Sequence, residues 1–253
     1  MNRMLLITLL LITATCLTAS AQVQSESLTA DEIFDLTRSA WQGESFHATL
    51  KLEITLGVAS KIHVLEVWTL GEDLALIHVI KPVEDAGSGY LEADGKLWYF
   101  SPLVGSAIEL PAVALAQAVF GSGPSIDDLS HGTLSDDYDV SVEDLTPDGD
   151  NAGGWFLTLI PHPDAPVVYG KLDIRVTSDF VIEEIVYYDQ RDAVLRTATF
   201  SEVIDINGHR VPTRIVIEDA SGDRTIQQVV DPEINIDIDE TFFTLEALVG
   251  ETE

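Results

Sequence analysis

From Ser45 to Leu56 apolar and polar residues alternate, with Phe46, Ala48, Leu50, Leu52, Ile54 and Leu56 on one side and His47, Thr49, Lys51, Glu53 and Thr55 on the other. A period of two is that of a β-strand with one dry and one wet face. The next two runs, Lys61 to Leu70 and Asp73 to Pro82, joined by a tight turn at Gly71-Glu72, are apolar on both faces: Ile62, Val64 and Trp68 on one, Leu65 and Val67 on the other. Strands of that kind lie beneath a second layer. Gly89 to Pro102 reads as a hairpin turning at Asp94-Gly95, and Leu97-Trp98-Tyr99-Phe100 places aromatic side chains on both of its faces. Beyond residue 137 seven more strand-like runs follow, from YDVSVEDL to RTIQQVV, with hairpin turns at Asn207-Gly208 and Ser221-Gly222. The stretch from Thr146 to Gly154 is a long hairpin loop rather than a domain linker.

Two helices interrupt the strands. Leu28 to Gln42 opens with a capping box of Thr29 and Glu32 and carries Ile33, Leu36, Ala40 and Trp41 toward one face. Pro111 to Phe120, PAVALAQAVF, has Gln117 as its one polar side chain, Pro111 as a start signal and Gly121 as a stop. A helix apolar on all sides must be covered on all sides, either as plain core or as a lid over an apolar cavity. A one-turn segment, SIDDL, follows it. About ten strands in mostly hairpin order with few helices predict a mainly β protein: a strongly curved antiparallel sheet forming an unclosed β-barrel covered by helices, with a flat β-sandwich as the alternative.

The N-terminus changes the setting. Arg3, the apolar run Met4 to Ile12 and the small residues Ala19-Ser20-Ala21 make residues 1–21 a secretory signal peptide cleaved after Ala21, leaving 22–253 as one periplasmic domain. Lipidation at Cys16 is the rival outcome, although Thr15 stands where a smaller residue is expected. Cleavage removes the only cysteine, so stability must come from the core.

A formal net charge of −30 excludes a nucleic-acid partner and disfavours an anionic membrane. It fits a heavily hydrated surface working at high salt.

Catalytic chemistry has no foothold. G-x-S-x-G, H-E-x-x-H and the phosphate-binding loop are absent. His47, His63, His78, His131, His162 and His209 are scattered singly; His63 and His78 could face each other across neighbouring strands, without a third metal ligand. The adjacent carboxylates Asp127-Asp128, Asp136-Asp137 and Glu183-Glu184 read as solvated surface. No enzyme, cofactor or metal is expected.

Lys81-Pro82, Gly87 to Leu91, Leu97 to Pro102, Ile108 to Pro111, Phe120-Gly121-Ser122 leading to Asp128-Leu129, and Asp239 to Phe243 together resemble the LolA/LolB-type superfamily, more narrowly the outer-membrane lipoprotein-sorting proteins. The chain departs at Gly123-Pro124-Ser125, where relatives tend to carry an acidic residue and an aromatic. The resemblance implies a monomeric carrier that holds acyl chains of a lipoprotein or lipid in an apolar cavity, taking them from an inner-membrane transporter toward an outer-membrane acceptor. A lipid sensor reporting to a membrane partner is the alternative. The expected lining is Leu50, Leu52 and Ile54 from the first strand, Trp68 and Leu76 from the next two, Trp98 and Phe100 from the hairpin, and Val113, Ala116 and Phe120 from the lid. Position by position ordinary core packing is the better reading of each, and only their convergence with the helix favours a lining.

Overall fold

In the computed structural model, which describes residues 28–130, 137–145, 153–163, 165 and 167–250, the first described element is α1 (Ala30–Gln42). Its capping box is complete: the Glu32 amide donates to Thr29 Oγ1 at 3.2 Å and the Thr29 amide to the Glu32 carboxylate at 2.8 Å. The buried face is Ile33, Phe34 and Thr37, with Trp41 half-buried. Leu36, expected on that face, is 41% exposed. The stripe is rotated toward Phe34, because Thr37 resolves its own polarity by donating its hydroxyl to the Ile33 carbonyl at 2.8 Å and so tolerates burial.

The strands run β1 (Ser45–Leu56), β2 (Ala59–Leu70), β3 (Leu74–Lys81), β4 (Gly89–Ala93), β5 (Lys96–Phe100), β6 (Ile108–Leu110), β7 (Tyr138–Leu145), β8 (Gly154–Pro161), β9 (Lys171–Thr177), β10 (Ile182–Tyr188), β11 (Val194–Ile206), β12 (His209–Asp219) and β13 (Arg224–Ile234). Among the described residues these thirteen make one antiparallel sheet in the order β6-β5-β4-β3-β2-β1-β13-β12-β11-β10-β9-β8-β7, not closed into a barrel. The expectation of about ten strands is low in part because β6 has three residues, too few to show a period. The signal-peptide residues, Cys16, His131, Asp136 and most of the 146–154 loop lie outside the described residues.

The sheet is two hairpin meanders joined where β1 pairs with β13. Its two edges, β6 and β7, are consecutive in sequence, so the intervening segment has to travel from one edge to the other. It crosses a face of the sheet. Within it, α2 (Ile126–Ser130) touches β2 and β3, while its Asp128 bonds Arg196 on β11. In a flat sheet β3 and β11 would be ~24 Å apart at ~4.8 Å per strand, whereas five helical residues span only ~7.5 Å. The sheet therefore curves around the crossing segment.

That segment corrects the second expected helix. Residues 111–120 form one 3₁₀ turn (Ala112–Ala114) followed by tight turns, and Ala118 makes a β-bridge with Ser125. An isolated ten-residue helix is marginal. Here the segment folds back instead, with the Val119 amide donating to the Pro124 carbonyl at 3.1 Å and the Asp127 amide to the Leu115 carbonyl at 3.0 Å. The short SIDDL helix forms as expected.

On the enclosed face, one apolar cluster joins Ile33 and Phe34 of α1 to β7–β12, and a second joins β1–β3 and β5 to Ala114, Ile126 and Leu129 of the crossing segment. The opposite face of β2–β5 carries a third cluster under the C-terminal α3 (Leu245–Val249), with Phe243, Ala247 and Leu248 buried.

Candidate functional site

The enclosed face is the candidate site, and strand parity decides which side chains reach it. Leu50 and Leu52 on β1 pair with Leu65 and His63 on β2, and all of these face inward with Ile54, Val67, Ile77 and Leu97. Trp68, Leu76, Trp98 and Phe100 have the other parity and pack with Leu91 beneath α3. The expected lining is thus split between two faces. Leu50, Leu52 and Ile54 are on the enclosed side, and the four hairpin and strand residues are on the far side, because a one-residue step in a strand moves a side chain through the sheet. From the crossing segment, Phe120 packs inward and stacks on His63 with ring centroids 3.7 Å apart. Val113 is 53% exposed and Ala116 half-buried, neither belonging to the inner cluster.

The same parity separates the histidines. His63 faces inward while His78, opposite Glu66, belongs to the far face, so the two do not meet. Burial lowers the pKa of both rings. Among the described residues no three His, Cys, Asp or Glu side chains are grouped to hold a metal ion, and no helix is long and apolar enough to cross a membrane.

Two adjoining cavities lie between the sheet and its cover, each of about 30 Å³. The first is walled by Ile182, Ile185 and Tyr187 of β10, Ala198 and Phe200 of β11, and Ile215 and Ile217 of β12. The second is walled by Phe46, Leu50, Val211, Pro212 and Val229. Trp41, Asp128 and Gln227 border both. Trp41 meets Phe200 edge-to-face at 5.8 Å, which fastens the end of α1 over the first cavity. A volume of ~30 Å³ admits about two waters and no acyl chain, so the lumen is filled largely by its own side chains.

At its centre sits an ion pair. Asp128 accepts from Arg196 Nη1 at 2.7 Å and Nη2 at 3.0 Å, from the Ser125 amide at 2.7 Å and hydroxyl at 2.8 Å, and from Tyr187 at 3.4 Å. Arg196 also donates to the Gly123 carbonyl at 3.2 Å, and its guanidinium lies 4.0 Å from the Tyr187 ring centroid and 5.2 Å from that of Tyr169. Burial opposes the charge on Arg196, but the Asp128 carboxylate outweighs it and holds the guanidinium protonated. Gly123 has φ of +88°, and a Cβ there would run into the Thr225 side chain, so the backbone passes the wall at a point only glycine allows.

The neighbouring Asp127 is pushed up to about 7 by burial and then by the charge of Asp128; burial, with Asp73, moves Glu92 to about 7 as well. The reading of Asp127-Asp128 as solvated surface is therefore corrected: the crossing segment carries both under cover. Arg196, Tyr187 and Gln227 escaped the sequence reading. A signal existed, since Arg196 shares its strand parity with Ala198 and Phe200, an arginine on an otherwise apolar face.

Solved structures with this architecture come from several bacteria. A LolA superfamily protein from Nitrosomonas europaea is 23% identical, with a TM-score of 0.75 over 86% of this chain and 98% of its own. An outer membrane lipoprotein-sorting protein domain from Vibrio parahaemolyticus is 17% identical, TM-score 0.76, over 86% and 97%. A DUF1329 family protein from Desulfovibrio piger is 18% identical, TM-score 0.77, over 88% and 100%. At these identities the likeness concerns the fold. No curated protein matches the sequence. A family model described as "uncharacterized protein" matches residues 71–249. The chain therefore belongs to that family, and its fold is the one shared by the LolA superfamily.

Proposed function

We propose that the protein is a non-catalytic periplasmic carrier, formed by residues 22–253 after loss of the signal peptide, that shields acyl chains between the curved sheet and its cover. The observation that carries this reading is the pair of apolar-walled cavities bordered by Trp41 and the crossing segment. The cover is built from the same chemistry as a cargo. Leu115, Val119 and Phe120 fill the inner face now, and an entering chain would exchange places with such contacts. Burying a methylene is worth ~0.8 kcal/mol, so a sixteen-carbon chain gains ~12 kcal/mol in full, which is too much for a carrier that must release. Displacing apolar side chains that then meet water offsets part of that gain and makes loading reversible. The partners this reading calls for are an inner-membrane donor and an outer-membrane acceptor; that a domain described as outer membrane lipoprotein-sorting shares the fold is in keeping with it.

The test is solvent extraction of purified protein for co-purified lipid, together with uptake of a fluorescent fatty acid. Trp41→Ala, which opens both cavities toward α1, should change the uptake. Neither bound lipid nor uptake would sink the carrier reading.

A further inference from the structure

Arg196 is the one buried lysine or arginine among the described residues, at 7% exposure. It stands in an apolar wall, preceding Ala198 and Phe200 on the same face of β11, and its contacts Asp128 and Tyr187 border the first cavity. Its hydrogen bonding is incomplete. Nη1 and Nη2 are engaged by Asp128 and the Gly123 carbonyl, while Nε has no partner among the described residues; neither has Thr225 Oγ1, against which Gly123 packs. A buried donor without a partner is costly, and native structures that keep one commonly use it.

The groups that hydrogen-bond Arg196, Asp128 and Gly123, both belong to the crossing segment. That is the cover which has to withdraw for a chain to enter. Once it withdraws and a chain fills its place, the guanidinium between the rings of Tyr187 and Tyr169 is again out of water but without its counter-charge, and a bare buried cation is far too costly to persist. An entering ligand has to bring an anion with it. The anion now on the fork is a carboxylate held by two N–H donors, the geometry in which arginine and carboxylate match. Both cavities border that carboxylate, so a head group in its place has apolar wall on either side for its tail.

We propose that Arg196 is a head-group subsite of the lumen, and that the cargo is an amphiphile with a carboxylate head, of the fatty-acid type, whose carboxylate takes the place of Asp128. This rests on the carrier reading and narrows its cargo. The strongly negative surface opposes its approach little from a distance, since physiological salt screens exposed charge beyond ~8 Å.

The experiment compares dodecanoate with 1-dodecanol, which differ in head group, by calorimetric titration of the full chain and of the variant Arg196→Met/Asp128→Leu. The unaltered protein is expected to bind dodecanoate at least about tenfold more tightly than dodecanol. The double variant is expected to lose that preference. Equal binding of the two ligands by the unaltered protein overturns the subsite without any variant and leaves the carrier reading standing. A preference that survives in the double variant overturns it too. Binding of neither ligand overturns the carrier reading and the subsite together.

Discussion

Replacing Arg196 by methionine leaves the Asp128 carboxylate, only 12% exposed, without its counter-charge. Breaking a buried pair from one side costs ~3–5 kcal/mol because the remaining charge is not solvated. Asp128 keeps donors from the Ser125 amide and hydroxyl and from Tyr187, so Arg196→Met belongs near the lower end, ~3 kcal/mol. Asp128→Leu leaves the guanidinium with the Gly123 carbonyl and two aromatic rings, none of which carries a full charge, and belongs near the upper end, ~5 kcal/mol. Against a typical total stability of ~5–15 kcal/mol, either loss is large. The double variant Arg196→Met/Asp128→Leu removes both desolvation penalties and is expected within ~1 kcal/mol of the unaltered protein. Urea unfolding followed by tryptophan fluorescence and circular dichroism measures all four corners of the cycle. If the double variant were destabilised by the sum of the single losses, the pair would not be an isolated buried unit and the reasoning would fail.

Three further outcomes are expected. Asp127, with a folded-state pKa of about 7 against an ordinary value of 3.8, binds a proton in the folded protein that the unfolded chain has already released. Its contribution is fully present below pH ~4 and is lost as pH rises toward 7, so Asp127→Asn should raise the melting temperature at pH 8 relative to the unaltered protein and not at pH 4; an equal effect at both pH values would refute the burial argument. Gly123→Ala should destabilise the fold by ~1–3 kcal/mol in urea titrations, because φ is +88° and the new methyl meets Thr225; a neutral substitution would mean that the crossing segment is not held at that point. Finally, a net charge of −30 should make the melting temperature rise between dilute buffer and molar salt, and a flat salt profile would remove self-repulsion as a factor.

Much of the fold was legible along the chain. The alternation in Ser45–Leu56, the turn at Asp94-Gly95 and the capping box at Thr29 and Glu32 are local patterns with local causes, and each has its counterpart in the structure. The candidate site was legible only in part. Leu50, Leu52, Ile54 and Phe120 reach the enclosed face, whereas Trp68, Leu76, Trp98 and Phe100 do not. Strands apolar on both faces, such as β2, carry no mark of which face is inside.

By itself, the sequence determined the kind of elements, their order and the abundance of apolar surface needing cover, since periodicity, capping and turn chemistry act over a few residues. It also marked the stretch after β6 as unusually apolar. Only the tertiary structure decided why. Pairing of β1 with β13 puts β6 and β7 at opposite edges, so the segment between them has to cross the enclosed face, and its Ala114, Leu115, Val119 and Phe120 are apolar because they pack on that face. The same crossing brings Asp128 to Arg196, 68 residues later in the chain. Asp128 does not stand out in its own neighbourhood, and the parity that Arg196 shares with Ala198 and Phe200 does not name its partner: which charges are removed from water together is a property of the sheet-and-cover geometry, not of any local run of residues.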